Sequence, residues 1–233
     1  MSENNRCVGP SQSYYRLHKV MRAPVPKNEA KRLKVLWQYD VLDTVPEEVF
    51  DELTDLAAHI CEAPIALISL VDEDRQWFKS AIGVTLRETS RDISFCAHAI
   101  LNNDLMIVPD ATQDERFKNN LLVTSDPKIR FYAGAPLLTP DGHALGTLCV
   151  MDNVPRTLRS EQQQALLVLA RHVMTQLELR RHARELAAAR EHSHKTKAEL
   201  NRAQAEIARL REQIARLKPK SRPAKARLTR SRR

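Results

Sequence analysis

From residue 160 to residue 218 the chain contains neither glycine nor proline, and nothing else in the sequence constrains its fold as strongly. Those two residues interrupt helices most effectively. A stretch of this length without either reads as one helix, roughly 85 Å long at ~1.5 Å per residue and far beyond the body of an ordinary domain. Ser160-Glu-Gln-Gln163 has the spacing of a capping box at its start. Leu166, Leu169, Ala170, Val173 and Leu177 gather on one face there, which suits packing onto a body. Near the far end, Leu200, Ala203, Ile207, Leu210, Ile214 and Leu217 alternate spacings of three and four, the seam of a coiled coil. Leu or Ile at a and mainly Leu at d favour a two-stranded parallel homodimer, with Glu206 at g within reach of Arg211 at e of the second copy. In the same frame Ala189, Ser193 and Thr196 make the middle weak. The alternative is a lone helix with a solvated face.

The chain ahead of this helix reads as a domain of mixed structure. A first helix is expected over residues 29–42. Thr44-Val-Pro-Glu47 has capping-box spacing with Pro46 in the first turn, and Val49, Leu53, Leu56, Ala57 and Ile60 behind it mark an amphipathic helix. The pattern then switches to strands. Residues 65–71 are almost wholly apolar, and Asp72-Glu-Asp-Arg75 is a polar turn into a strand over 76–82. A short helix over 94–102 and a strand over 105–108 follow. Residues 130–139 and 144–152 flank Pro140-Asp-Gly-His143, a hairpin turn, and Pro136 within the first of them calls for an edge or a bulge. The fold class is therefore α+β, with a largely antiparallel sheet flanked by helices and followed by the long helix.

Charge is concentrated at the two ends. The net charge is +8 over 233 residues, yet residues 218–233 alone hold eight cations and no acid, and residues 1–28 hold five cations against Glu3. The body between them is mildly acidic. Residues 1–28 are expected as a disordered or loosely docked basic arm, and 219–233 as a disordered basic tail carrying Pro219 and Pro223 but no aromatic. Such a tail is a candidate for non-specific nucleic-acid binding, for an anionic membrane or acidic protein, or for solubility alone. No apolar run approaches a transmembrane span, and the polar start carries no secretory signal, so a cytoplasmic location is expected. Cys7, Cys61, Cys96 and Cys149 are scattered and read as reduced thiols, neither a disulfide frame nor a zinc site. Five glycines leave no room for the common phosphate-binding loops.

Between Arg32 and Arg181 the sequence resembles the GAF domains at the head of bacterial sensor histidine kinases and diguanylate cyclases. The stretches that carry the resemblance include Tyr39-Asp-Val-Leu-Asp-Thr44, Phe50-Asp-Glu-Leu-Thr54, Pro64-Ile-Ala-Leu-Ile-Ser-Leu-Val-Asp72 and Arg75-Gln-Trp-Phe-Lys-Ser80. They continue through Glu88-Thr-Ser-Arg-Asp92, Ser94-Phe-Cys-Ala-His-Ala-Ile100, Arg130-Phe-Tyr-Ala-Gly-Ala-Pro-Leu137 and Gly146-Thr-Leu-Cys149. The resemblance implies an antiparallel sheet of about six strands with a small-molecule pocket on one face. The terminal helices would lie on the other face and often form a dimer interface. It places a GAF domain at 29–180, a coiled-coil helix at 181–218, and Phe95, Cys96, His98, Arg116, Phe117 and Tyr132 around the pocket. Aromatics with one Arg and one His suit a small polar or anionic metabolite. Neither a phosphorylatable histidine box nor a GGDEF-like run follows, so signalling by covalent chemistry would call on a separate output protein.

The catalytic alternatives are weaker. Cys96 and His98 stand two residues apart on a helix and project about 200° from each other, so they cannot face one substrate. A free-methionine sulfoxide reductase, itself a GAF protein, would need a second cysteine between Arg116 and Arg130, and a bilin-binding domain would also want one there; none is present. Cys61 and Cys149 read as packed core residues. His182, His192 and His194 read as solvated, leaving no metal site and no cofactor. The expectation is a sensory or regulatory module that is not an enzyme. A structural dimerisation or nucleic-acid-tethering protein with a vestigial pocket is the alternative, and a small redox enzyme the minor one.

Overall fold

The two faces of the strands carry different partners, and this sets the layers. The computed structural model describes residues 22–217, so Cys7, most of the N-terminal arm and the whole of the 219–233 tail lie outside the described residues. In chain order the elements are α1 (Glu29–Gln38), α2 (Glu48–Cys61), β1 (Ile65–Val71), β2 (Arg75–Ile82), β3 (Glu88–Ser90), α3 (Phe95–Ala99), β4 (Met106–Val108), α4 (Leu121–Thr124), β5 (Phe131–Leu138), β6 (Ala144–Asp152) and α5 (Ser160–Leu217). The strands form one six-stranded sheet, antiparallel throughout, in the order β3-β2-β1-β6-β5-β4. The chain divides into two units, Met1–His182 and Ala183–Arg233.

Alternation along each strand sorts the core. Ala66, Ile68 and Leu70 of β1 join Phe131, Ala133, Ala135 and Leu137 of β5 on one face, where Leu33 and Leu36 of α1, Phe50 and Ala57 of α2, and Leu166, Val173 and Leu177 of α5 cover them. Ile65, Leu67 and Val71, Phe78 of β2, Tyr132 of β5 and Cys149 and Met151 of β6 point the other way, towards α3 and the segment between β4 and β5. The long helices thus seal one face, and among the described residues the second face is closed by the short helices α3 and α4 and by loop segments.

Most elements lie where the periodicity puts them, and the departures have local causes. Helix α1 stops at Gln38 because Asp40 takes a positive φ of 46°, and the Arg180 guanidinium closes the turn by donating to the carbonyls of Tyr39 (3.2 Å) and Asp40 (2.9 Å). Neither expected capping box forms. Glu47 is the N-cap of α2 but makes no side-chain cap bond. Its carboxylate instead accepts from Lys79 (2.6 Å) and Arg180 (3.0 Å), while the Thr44 hydroxyl donates to Val41 O at 2.7 Å. At α5 it is Gln162, one residue early, whose side chain accepts the Arg159 N–H at 3.0 Å, the second half of a capping box without its first. Strand β3 carries no readable period in three residues; it is held by pairing with Arg75 to Trp77 and by an Arg75–Glu88 ion pair at 2.5 Å.

The hairpin expected around residues 140–143 forms, with Gly142 at φ 77° and its N–H bonded to Thr139 O at 2.8 Å. Only a residue tolerant of positive φ fits there. The register slips between Pro136 and Leu138, so the proline sits at a bulge, past the end of the pairing between β4 and β5, where its missing N–H costs no ladder bond. Residues 22–28 run against the domain: Arg22 pairs with Asp92 at 3.2 Å, and the Asn28 amide meets His143 Nδ1 at 3.2 Å. Among the described residues no helix is long and apolar enough to cross a membrane.

Candidate functional site

Helix α3 begins at a true N-cap. Ser94 is extended, and its hydroxyl accepts the Ala97 N–H at 3.0 Å. The same hydroxyl donates to Gln76 Oε1, fastening the helix start to β2. This sets Phe95 and Cys96 over the sheet. The Phe95 ring stacks on Phe117 at 4.0 Å with planes 11° apart, and lies 5.2 Å from the Tyr132 ring. His98 meets the Phe117 edge at 4.8 Å, and the Arg116 guanidinium lies 5.0 Å from the Phe117 ring centre. Tyr132 reaches Cys96, its O–H donating to Sγ at 3.6 Å. All six residues singled out from the sequence therefore meet in one packed column, each aromatic pair contributing about 0.5–1.5 kcal/mol beyond its burial.

Gly134 makes the column possible. Tyr132 lies along β5 with its phenol over Gly134, in the space a Cβ there would occupy. Arg116 is already committed: its Nε and Nη2 donate to both carboxylate oxygens of Asp114, at 2.9 and 2.6 Å. That hydrogen-bonded pairing, against a smaller opposing effect of burial, holds the Asp114 carboxyl below its ordinary range.

Beside the column is a cavity of about 60 Å³. Ile65 and Leu67 of β1, Phe78 of β2, Met151 of β6, Leu122, Ile129, Phe95 and Cys96 line it, and Leu86 and the exposed Pro127 stand at its rim. Of the six sequence candidates, Phe95 and Cys96 face this space; His98, Arg116, Phe117 and Tyr132 stand among the residues that support its wall. The polar side chains on the lining are Gln76 and Thr89, which bond to each other at 2.6 Å. Gln76 Oε1 also accepts from Ser69 at 3.3 Å. A cavity so lined suits a small, largely apolar guest better than the polar or anionic metabolite expected from Arg116 and His98.

One pairing escapes sequence reasoning. Cys96 Sγ and Cys149 Sγ lie 3.8 Å apart although 53 residues separate them. Cys149 is packed core, as expected, and its neighbour there is a second thiol. Both are buried and free, as is Cys61 on the opposite face of the sheet. Burial opposes ionisation of Cys96, but the polar side chains packed around its sulfur, those of Cys149, Thr147, Ser69 and Tyr132, outweigh it and hold that thiol below the ordinary range. The hydrogen bond to Cys96, then burial, pushes Cys149 well above it. Among the described residues no group of three or more His, Cys, Asp or Glu is placed to hold a metal, and His192 and His194 are exposed on α5.

Three comparisons place this geometry. The chain is 45% identical over 155 residues to cyclic di-GMP phosphodiesterase PA2567 of Pseudomonas aeruginosa, a match covering 66% of this chain and 26% of that protein. The chain thus spans about a quarter of the relative's length. Among solved structures, the PixJ GAF domain of Thermosynechococcus elongatus in its blue-light-absorbing form superposes with a TM-score of 0.50 at 14% identity, over 72% of this chain and 98% of that one. The GAF domain of a phosphoenolpyruvate-protein phosphotransferase from Coxiella burnetii does so with a TM-score of 0.50 at 15% identity, over 69% and 97%. At those identities the two structures speak for the fold alone. The expectation that the protein is not an enzyme is overturned by the first relative, which is named for a hydrolytic activity. That expectation rested on finding no acid–base or nucleophilic constellation in the sequence, and such a gap does not exclude turnover. The GAF domain profile matches residues 45–177, more than half of the chain, and with the sheet order and the pocket face described above it establishes that the chain belongs to the GAF domain family.

Proposed function

We propose that this GAF protein is a sensory and regulatory module of cyclic di-GMP signalling, in which a small molecule enters the cavity beside α3 and the long helix carries the response within a parallel homodimer. The observation that carries the reading is the cavity, an apolar space of about 60 Å³ on the face the terminal helices leave uncovered. Phe95 and Cys96 contact the guest, and His98, Arg116, Phe117 and Tyr132 form the wall behind. The cyclic di-GMP context is supported by the 45% identity to the Pseudomonas phosphodiesterase. Dimerisation is supported by the exposure of Leu200, Ile207, Leu210 and Ile214 (56, 49, 47 and 58%), four of the large apolar residues of the seam. Leu186, 53% exposed, extends the same register. In this reading the GAF domain spans 29–180, the coiled coil 181–218 and a polyanion-seeking tail 219–233. The chain acts in the cytoplasm, where its resting thiols are reduced and a separate output protein receives the signal.

A thermal-shift screen of small apolar metabolites is expected to return a stabiliser, worth about 2.7 kcal/mol at 100 times Kd. Leu122→Trp, which fills the cavity, should abolish that gain while the free protein still melts cooperatively. Expression of the chain in Pseudomonas aeruginosa should shift cellular cyclic di-GMP. The absence of any stabiliser would remove the ligand, and an unchanged nucleotide level would remove the regulatory role.

A further inference from the structure

We infer that Cys96 and Cys149 are an oxidisable dithiol, which hydrogen peroxide entering through the apolar cavity converts to a disulfide. The sulfurs are already in contact at 3.8 Å, and a disulfide bond of about 2.05 Å needs them to close by less than ~2 Å. Access is asymmetric. Cys96 lines the cavity, whose rim includes the exposed Leu86 and Pro127, whereas Cys149 sits behind it in β6 and Cys61 lies in the core on the other face of the sheet. A small uncharged oxidant passes such a lining more readily than an ionic reagent. The cavity lining and the polar surroundings favour Cys96 as the thiol oxidised first. The Tyr132 phenol donates to its sulfur. The Thr147 hydroxyl, buried and without a hydrogen-bond partner, lies beside the pair, and a donor available in this way favours the thiolate.

The chemistry balances with peroxide as the only oxidant. The Cys96 thiolate attacks one peroxide oxygen; the O–O bond breaks, an S–O bond forms, and the departing hydroxide leaves as water with the proton Cys96 gave up. Cys96 is then a sulfenic acid. The Cys149 sulfur attacks it, forming the S–S bond and breaking the S–O bond, and hydroxide leaves with the Cys149 proton as a second water. Two thiols and one peroxide give one disulfide and two waters. The product ties α3 to the middle of β6 and alters the cavity wall, whichever small molecule the cavity takes.

The test titrates the reduced full-length chain with hydrogen peroxide, alkylates the remaining thiols under denaturing conditions, and maps an unreduced digest by mass spectrometry. The expected result is a linked peptide joining Cys96 and Cys149, reversed by dithiothreitol, at doses that leave Cys61 alkylated. In Cys149→Ser the reaction should stop at a Cys96 sulfenic acid that dimedone traps, and in Cys96→Ser Cys149 should stay reduced. The inference is overturned if both cysteines remain alkylatable at doses that oxidise free cysteine, or if Cys61 oxidises as readily as the pair. The first arm uses the unmodified chain, so its result decides even where a variant fails to fold.

Discussion

Lys79 stands in β2 where the strand should present an apolar side chain to the helices, and its side chain is 0% exposed. Its ammonium donates to Thr44 Oγ1 (3.0 Å), Val45 O (2.8 Å) and Glu47 Oε1 (2.6 Å), so all three protons are used. Removing it leaves those acceptors short of a donor, and Lys79→Ala is expected to destabilise the domain by about 3–5 kcal/mol in denaturant melts. Lys79→Met should cost less because it keeps the buried stem and leaves no cavity, Arg180 pairing with Glu47 in both variants. A cost below that of an ordinary surface change would show that the lysine is not holding this corner. Burial works against the charged forms of Glu29 and Glu47, but hydrogen bonds from Arg32 and Arg91 to the first and from Lys79 and Arg180 to the second prevail, and both carboxyls lie below their usual range. Groups lowered in this way add stability that is complete above the unfolded value near ~4.3 and is lost as pH falls through the folded one. The melting temperature should therefore hold to about pH 5 and drop below it; a flat profile down to about pH 3 would contradict the ion pairs. None of this was legible in the sequence. Lys79 and Glu47 are 32 residues apart, as Cys96 and Cys149 are 53 apart, and periodicity carries no record of which distant side chains meet.

At the scale of elements the sequence was far more informative, for a physical reason. Strands β1 and β6 are buried along their whole length, so predominantly apolar runs mark them, interrupted by Ser69 in the first and by Gly146 and Thr147 in the second, and the Gly142 turn fixes the hairpin between β5 and β6. Helix α2 forms where its apolar residues recur, but the face it buries is Phe50, Thr54, Ala57 and Cys61, one position round from the expected stripe, with Val49, Leu53 and Ile60 only partly buried and Leu56 exposed. What failed were the features that tertiary contacts decide: Thr44 and Glu47 have capping spacing but are drawn to Lys79, and β3 exists only because β2 offers it an edge. The six site candidates came from a resemblance, and spacing alone would not have gathered them. The seam of α5 makes a prediction of its own. Ile207 and Leu210 are about half exposed in the single chain, so Ile207→Asp with Leu210→Asp should leave the folded GAF domain intact while placing charges against their copies in a dimer. Light scattering at micromolar concentration is expected to give a dimer mass for the unmodified chain and a smaller one for the variant. A monomer mass for the unmodified chain would end the coiled-coil reading.

For the whole molecule, charge and connectivity have separate consequences. Eight of the cations fall in residues 218–233, so deleting 219–233 should remove any binding to duplex DNA or RNA. Binding by the intact chain should weaken with salt, with a log–log slope near −0.9 per neutralised phosphate, and without base preference. Equal binding by both chains in a fluorescence titration would exclude the tail as a nucleic-acid arm. Connectivity bears on how the domain is made. The last strand in sequence, β6, lies third from one end of the sheet, between β1 and β5. Until a ribosome has released residues through Asp152, the early strands β1 to β3 have only each other, and β1 presents a bare edge, apolar but for Ser69, with nothing to pair it. Such an edge invites pairing with neighbouring nascent chains. Completion waits on a contact between Ile65 and Met151 that local propensity cannot hasten, and long-range closure of this kind is slow. A polypeptide arrested before β6 is therefore a chaperone's client, and the hairpin that ends at Asp152 is the step that turns a sticky half-sheet into a finished domain.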